Sequence, residues 1–89
     1  ILSDQQLGLC NQFAFGKDNR FEGVHYDLGA SGLPTLQGAL AWFECRNRSQ
    51  YLEGDHIIFV GEVELCGFAE GTPLVHQQGG FFEVGQVKV

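Results

Sequence analysis

The sequence predicts a mainly-β chain: a fragment of a β-barrel or sandwich carrying one short helix. Three observations predict it. A capped helix pattern is confined to the start of the chain. Two later stretches, Ala39–Arg48 and His56–Cys66, alternate or run apolar as strands do. Clusters of Gly, Pro, Ser and Asn punctuate the chain between and after them.

The elements follow in order. Ser3-Asp4-Gln5-Gln6 has the form of a capping box, a hydroxyl at the N-cap and a Gln three residues on that reaches back. Leu7, Cys10 and Ala14, with the pair Leu9 and Phe13, give an apolar face to a helix running from Asp4 to Phe15. Gly16 stands where a C-terminal glycine belongs. Gly8 inside the helix costs about 1 kcal/mol against Ala, which implies a close neighbour there. Lys17–Gly38 lacks periodicity and reads as a long functional or flexible loop with short irregular pieces around Phe21 and Leu36.

In Ala39–Arg48, Leu40, Trp42 and Glu44 point one way and Ala41, Phe43 and Cys45 the other, which is a strand. Asn47–Gly54 reads as a polar hairpin connection into the strand from His56 to Cys66, whose Ile57–Val60 run implies burial. Gly61 interrupts that strand, marking a bulge, a bend or a close approach. Leu74–His76 is a short strand, Gln77–Gly80 turns, and Phe81–Val89 is a last extended segment. About four strands in an open sheet leave unpaired edges. The chain opens on Ile1-Leu2 in mid-pattern and without Met. Both features point to a missing N-terminal part whose strands close the barrel.

Composition narrows the function. A chain of 89 residues is one domain at most, and 44% hydrophobic with 18% charged residues excludes a disordered acidic tail despite the net charge of -6. Five Lys and Arg argue against nucleic acid as a partner. No apolar run has membrane-spanning length, and no basic region followed by an apolar one opens the chain. Cys10, Cys45 and Cys66 are far apart and form no C-x-x-C pair, so no metal is expected. They fit reduced, buried thiols in a reducing compartment, the cytoplasm.

No nucleophile elbow, P-loop or dinucleotide fingerprint is present. His56 is the candidate, since Asp55 precedes it and a strand fixes its backbone. It reads either as a cleft-edge imidazole or as a histidine capping a turn in solvent. His76 precedes a Gln-Gln-Gly-Gly turn able to line the same cleft, or is an exposed strand-end histidine; His25, in the loop, carries no functional argument. Glu44, Glu62 and Glu64 lie on strands, but Glu62 and Glu64 share one face as a solvated face does, against a glycosidase pair. Trp42 and Phe43 read as core aromatics. Phe81 and Phe82 read as core, or as a stacking surface for a planar ligand.

With these residues laid out, the chain resembles the flavin reductase-like family, whose fold is the FMN-binding split barrel, Greek-key-like in topology. Three blocks carry the resemblance: Ile1–Gln6 continuing to Phe13-Ala14, then Leu36–Cys45, and Gly54-Asp55-His56 through Gly61-Glu62-Val63 with Pro73-Leu74-Val75 downstream. Arg20-Phe21 also falls where such proteins often have Arg-Phe. The resemblance implies that 1–89 is the C-terminal half of a single split-barrel domain, acting as a homodimer. The implied activity is hydride transfer from NADH or NADPH to FMN or FAD, often for a partner monooxygenase. It puts His56 at the nicotinamide side of the flavin, His76, Gln77, Gln78 and Gly79 around the dinucleotide, and Ser3 and Gln6 near the flavin phosphate or adenine end. A His at 76 and a Phe at 81 stand where the family typically has an aromatic, often Tyr. The main flavin-contacting strands precede the helix and are absent, so the 89 residues alone are expected to be inactive. The alternatives are a non-catalytic FMN-binding electron carrier of flavoredoxin type and a barrel domain used only for association.

Overall fold

The computed structural model describes residues 1–85, so the end of the expected Phe81–Val89 segment lies outside the described residues. One helix, α1 (Leu7–Phe15), precedes six strands: β1 (Tyr26–Leu28), β2 (Pro34–Leu36), β3 (Ala41–Glu53), β4 (His56–Phe68), β5 (Val75–Gln77) and β6 (Gly80–Phe82). They pair antiparallel as β1–β2, β3–β4 and β5–β6, in place of one open sheet of four strands.

The β3–β4 ribbon dominates. Each strand has 13 residues, and the expected Asn47–Gly54 connection is instead strand up to Glu53. Arg46 to Gln50 is polar because it lies on an uncovered ribbon, and only Gly54 and Asp55 turn the chain. Gly54 has a φ of 63°, which suits a glycine at the first corner of a two-residue hairpin. Arg48 and Glu64 have no opposite partner, giving two bulges. The first lies opposite Gly61, and a Cβ on Gly61 would come within 2.8 Å of Cys45 Cβ. Gly61 is therefore both beside a bulge and at a close approach, as its place in the strand predicts.

Register sets the two faces of the ribbon. One carries Leu52, Ile57, Phe59, Cys45, Val63 and Phe43; the other carries Tyr51, Ile58, Val60, Arg46, Glu62 and Trp42. Trp42 and Glu44 thus share a face, opposite Ala41, Phe43 and Cys45. Burial differs from expectation. Ile57 to Val60 are exposed, Phe43 and Phe82 are exposed, and no apolar residue among those described is buried. Cys45 and Cys66 are exposed and Cys10 half-buried, all three as free thiols. A two-stranded ribbon has no second layer of its own to cover it.

The helix starts later than predicted. Gln6 is its N-cap, with no side-chain cap bond. Half of the capping box forms: the Ser3 N–H donates to Gln6 Oε1 at 2.9 Å, while the Ser3 hydroxyl accepts from the Gln5 N–H at 3.3 Å. Ser3 is held in a bridge with Pro73, so the chain stays extended there and cannot begin helix at Asp4. Gly16 ends the helix in extended conformation, not left-handed, donating its N–H to the Gln12 carbonyl at 2.9 Å, and a Cβ there would strike that same carbonyl. Gly8 has nothing within 4 Å, contrary to the close neighbour its cost implied.

The Lys17–Gly38 loop is organised rather than irregular. Gln12 Nε2 donates to the carbonyls of Arg20 and Glu22 at 2.7 and 2.9 Å. Phe21 stacks edge-on between Phe13 and Tyr26, with ring centroids 5.0 and 5.4 Å away. The three-residue β1 and β2 follow, too short to show a period.

Residues at the start of the chain stitch these parts together. The Ile1 nitrogen donates to Ala41 O at 2.7 Å, and Leu40 N–H to Ile1 O at 2.8 Å. On the other side, Leu74 N–H donates to Leu2 O at 3.0 Å and Asp4 N–H to Thr72 O at 2.9 Å. The base of the ribbon is thereby tied to the segment that leads into β5.

Candidate functional site

The predicted site residues fall into three groups. The first is the ribbon tip, where His56 opens β4 immediately after the turn. Its Nδ1 lies 2.6 Å from Asp55 Oδ1, and both side chains are exposed. A proton on Nδ1 donates to the carboxylate, a tautomer that leaves Nε2 as the ring nitrogen able to accept a hydrogen bond.

The second is the β5–β6 hairpin. Val75–Gln77 replaces the predicted Leu74–His76 because Leu74 is occupied by its bond to Leu2. Gln78 and Gly79 turn the chain with φ of 48° and 78°, both in the left-handed region, the geometry that matches strand twist in a two-residue hairpin. His76 and Phe81 sit opposite in the ladder, their rings 5.1 Å apart at 62°. With Gly79 they form one wall of a concavity of about 480 Å³, whose other wall is Cys10, Asn11, Ala14 and Phe15 of α1. Gln77 and Gln78 belong to the hairpin but lie outside that lining. The helix wall escaped sequence reasoning. Its signal was Asn11, a polar residue i+3 and i+4 from Ala14 and Phe15.

The third group is the helix start. Ser3 and Gln6 are half-buried and hold each other, and Gln6 Nε2 donates to Gln37 O at 2.9 Å. Gln6 and His25 line a separate concavity of about 280 Å³ with Gln12 and Gln37.

His56 and His76 do not share a cleft within this chain. His56 lies at the tip of the ribbon, while His76 follows the segment tied to its base, so the ladder separates them. The strand carboxylates also divide. Glu44 is 9% exposed and accepts from the Ser31 hydroxyl at 2.8 Å, holding the Gly29–Leu33 turn on the ribbon. Glu64 pairs in solvent with Arg46 at 3.2 Å. Among the described residues no group of three or more His, Cys, Asp and Glu gathers, and no helix is long and apolar enough to cross a membrane.

These features define a strand-rich half-barrel that offers an aromatic-walled concavity and an oriented imidazole. The family described as flavin reductase like domain matches residues 1–85. The chain is 40% identical over 82 residues to a flavin reductase of Pseudomonas putida, covering 91% of this chain and 48% of that protein. It is 38% identical over 81 residues to an FMN reductase (NADH) of Agrobacterium fabrum, covering 91% and 46%. Among solved structures, the styrene monooxygenase flavin reductase of Pseudomonas putida S12 aligns with a TM-score of 0.85 at 31% identity, over 98% of this chain and 56% of that one. The NADH:FAD oxidoreductase of Streptomyces globisporus, solved in complex with NAD and FAD fragments, aligns with a TM-score of 0.85 at 31% identity, over 96% and 53%. The chain belongs to the flavin reductase-like family. It spans about half the length of these relatives.

Proposed function

We propose that the whole protein is an NAD(P)H-dependent flavin reductase, passing a hydride from NADH or NADPH to FMN or FAD, with 1–89 as the C-terminal half of its split-barrel domain. The observation that carries the reading is the Asp55–His56 pair, an oriented imidazole at the head of a strand in a chain of this family. Relatives named as an FMN reductase (NADH) and as the reductase of a styrene monooxygenase support both the nucleotide and a partner monooxygenase. The cytoplasm, where reduced nicotinamide is available and free thiols persist, is the proposed location, and a homodimer the proposed assembly.

The nicotinamide and flavin rings supply the redox chemistry, and the protein binds and orients them. The concavity beside His76 and Phe81 suits a planar ring: it has an aromatic wall, and no atom lies within 4 Å of where a Cβ on Gly79 would stand. His56 Nε2 is proposed to hydrogen-bond the nicotinamide. The hairpin His76, Gln77, Gln78 and Gly79 is proposed to hold the rest of the dinucleotide. Ser3 and Gln6, by fixing the start of α1, are proposed to aim its first amides at the anionic end of the flavin.

The test is oxidation of NADH and of NADPH by the full-length protein, with FMN and then FAD supplied. Flavin-dependent turnover is expected and reveals both preferences. Tightly bound FMN with no turnover would favour the electron carrier instead, and no flavin at all would favour association only.

A further inference from the structure

The concavity between α1 and the β5–β6 hairpin holds uncovered aromatic rings on both walls and one uncommitted amide. Phe15, on the helix wall, is 77% exposed, and Phe81, on the hairpin wall, is 36% exposed. Ala14 is small, and Gly79 has open space where a Cβ would stand, so neither fills the gap between the rings. The helix itself carries two side-chain amides, Asn11 and Gln12. Gln12 is committed to the loop through its bonds to the Arg20 and Glu22 carbonyls. Asn11 lies one turn before Ala14 and Phe15 on the face that lines the concavity. Its carboxamide has no hydrogen-bond partner among the described residues. No Asp, Glu, Lys or Arg lines the concavity among those residues.

A flat, uncharged heterocycle with a polar edge fits such a site. Its faces meet the aromatic rings and its edge meets the amide. A carboxamide sets one acceptor beside one donor. Adenine matches that pair with its N6 amino group beside N7, the pairing by which Asn reads this base. An isoalloxazine edge runs acceptor, donor, acceptor, and leaves one carbonyl unmatched. We propose that this concavity is an adenine site and that Asn11 reads the base. The adenine is that of the nicotinamide dinucleotide or that of FAD, which offer the same edge. The inference rests on the flavin reductase reading, and adds to it where adenine binds and which side chain selects it.

The experiment is titration calorimetry of the full-length protein with NAD+, its hypoxanthine analogue, FAD and FMN. Hypoxanthine has a carbonyl in place of the N6 amino group and so denies Asn11 its donor. If the dinucleotide supplies the adenine, wild type is expected to bind NAD+ roughly tenfold more tightly than the analogue. If FAD supplies it, FAD is expected to bind roughly tenfold more tightly than FMN. Asn11→Leu is expected to cut that preference several-fold with its circular dichroism intact, and Asn11→Gln, which keeps the amide, to retain it. Equal binding within both pairs, or a preference that survives Asn11→Leu, overturns the proposal. Flavin-dependent NADH oxidation is measured on the same samples. Turnover without any adenine preference defeats the site and leaves the reductase reading intact. An adenine preference without turnover does the reverse.

Discussion

Asp55 holds the ring of His56 through a 2.6 Å contact between Oδ1 and Nδ1, across a turn that only two residues form. The adjacency is local, so it was fully legible in the sequence. The carboxylate orients the imidazole rather than stabilising the fold, because both groups are exposed. Asp55→Asn in the full-length protein keeps the shape but loses the charge-assisted bond. The KM for NADH is expected to rise roughly threefold to tenfold, as for one lost hydrogen bond, with flavin affinity and melting temperature unchanged. Steady-state kinetics with a flavin titration checks this; an unchanged KM would remove Asp55 from the site.

Gln78 is the non-glycine residue with positive φ among those described, at 48°. Glycine takes that conformation without steric cost, so Gln78→Gly is expected to raise stability by up to about 1 kcal/mol in urea titration. If the side chain is kept there to meet the dinucleotide, the same variant raises the nicotinamide KM. Gained stability with an unaltered KM would show that Gln78 does not contact it.

Gly61 and Gly8 make a paired test of packing. Gly61→Ala sets a Cβ 2.8 Å from Cys45 Cβ and is expected to destabilise by about 1–3 kcal/mol. Gly8→Ala meets nothing within 4 Å and is expected to stabilise by up to about 1 kcal/mol. Thermal melts of the two decide, and effects of the opposite order would contradict the ribbon's register or the helix's exposure.

Glu44 reaches from β3 to Ser31 and keeps the Gly29–Leu33 turn on the ribbon. Glu44→Ala leaves the Ser31 hydroxyl without its acceptor and is expected to cost about 1–3 kcal/mol. Hydrogen exchange should accelerate at residues 29–33 before it does at β4. Uniform acceleration would mean that Glu44 serves the whole sheet instead.

Much of the strand framework could be read from residues alone. The alternation of Ala41 to Cys45, the Gly-Asp turn and the close approach at Gly61 are local signals, and they survive in the structure, although β4 runs through Gly61 without a break. Where reading failed, the deciding partner was distant in sequence. Asn47 to Glu53 reads as a loop because exposed strand is polar. Ser3 looked like an N-cap until its bridge to Pro73 held it extended. The β1–β2 hairpin was hidden by strands of three residues. Ile57 to Val60 read as buried because their pattern describes a closed barrel, of which this chain has about half the length of its relatives. His56 and His76 were read toward one cleft because spacing along a chain says nothing about which end of a ribbon each one occupies.

The central claim is that this protein passes a hydride from nicotinamide to flavin with His56 beside the nicotinamide. Anaerobic single-turnover mixing of full-length protein, FMN and NADH, followed by loss of flavin absorbance, tests it most directly. Wild type should bleach the flavin, and His56→Ala should need several-fold more NADH for the same rate while binding FMN as before. No bleaching by wild type with either nicotinamide nucleotide and either flavin, or an NADH dependence unaltered in His56→Ala, would contradict it.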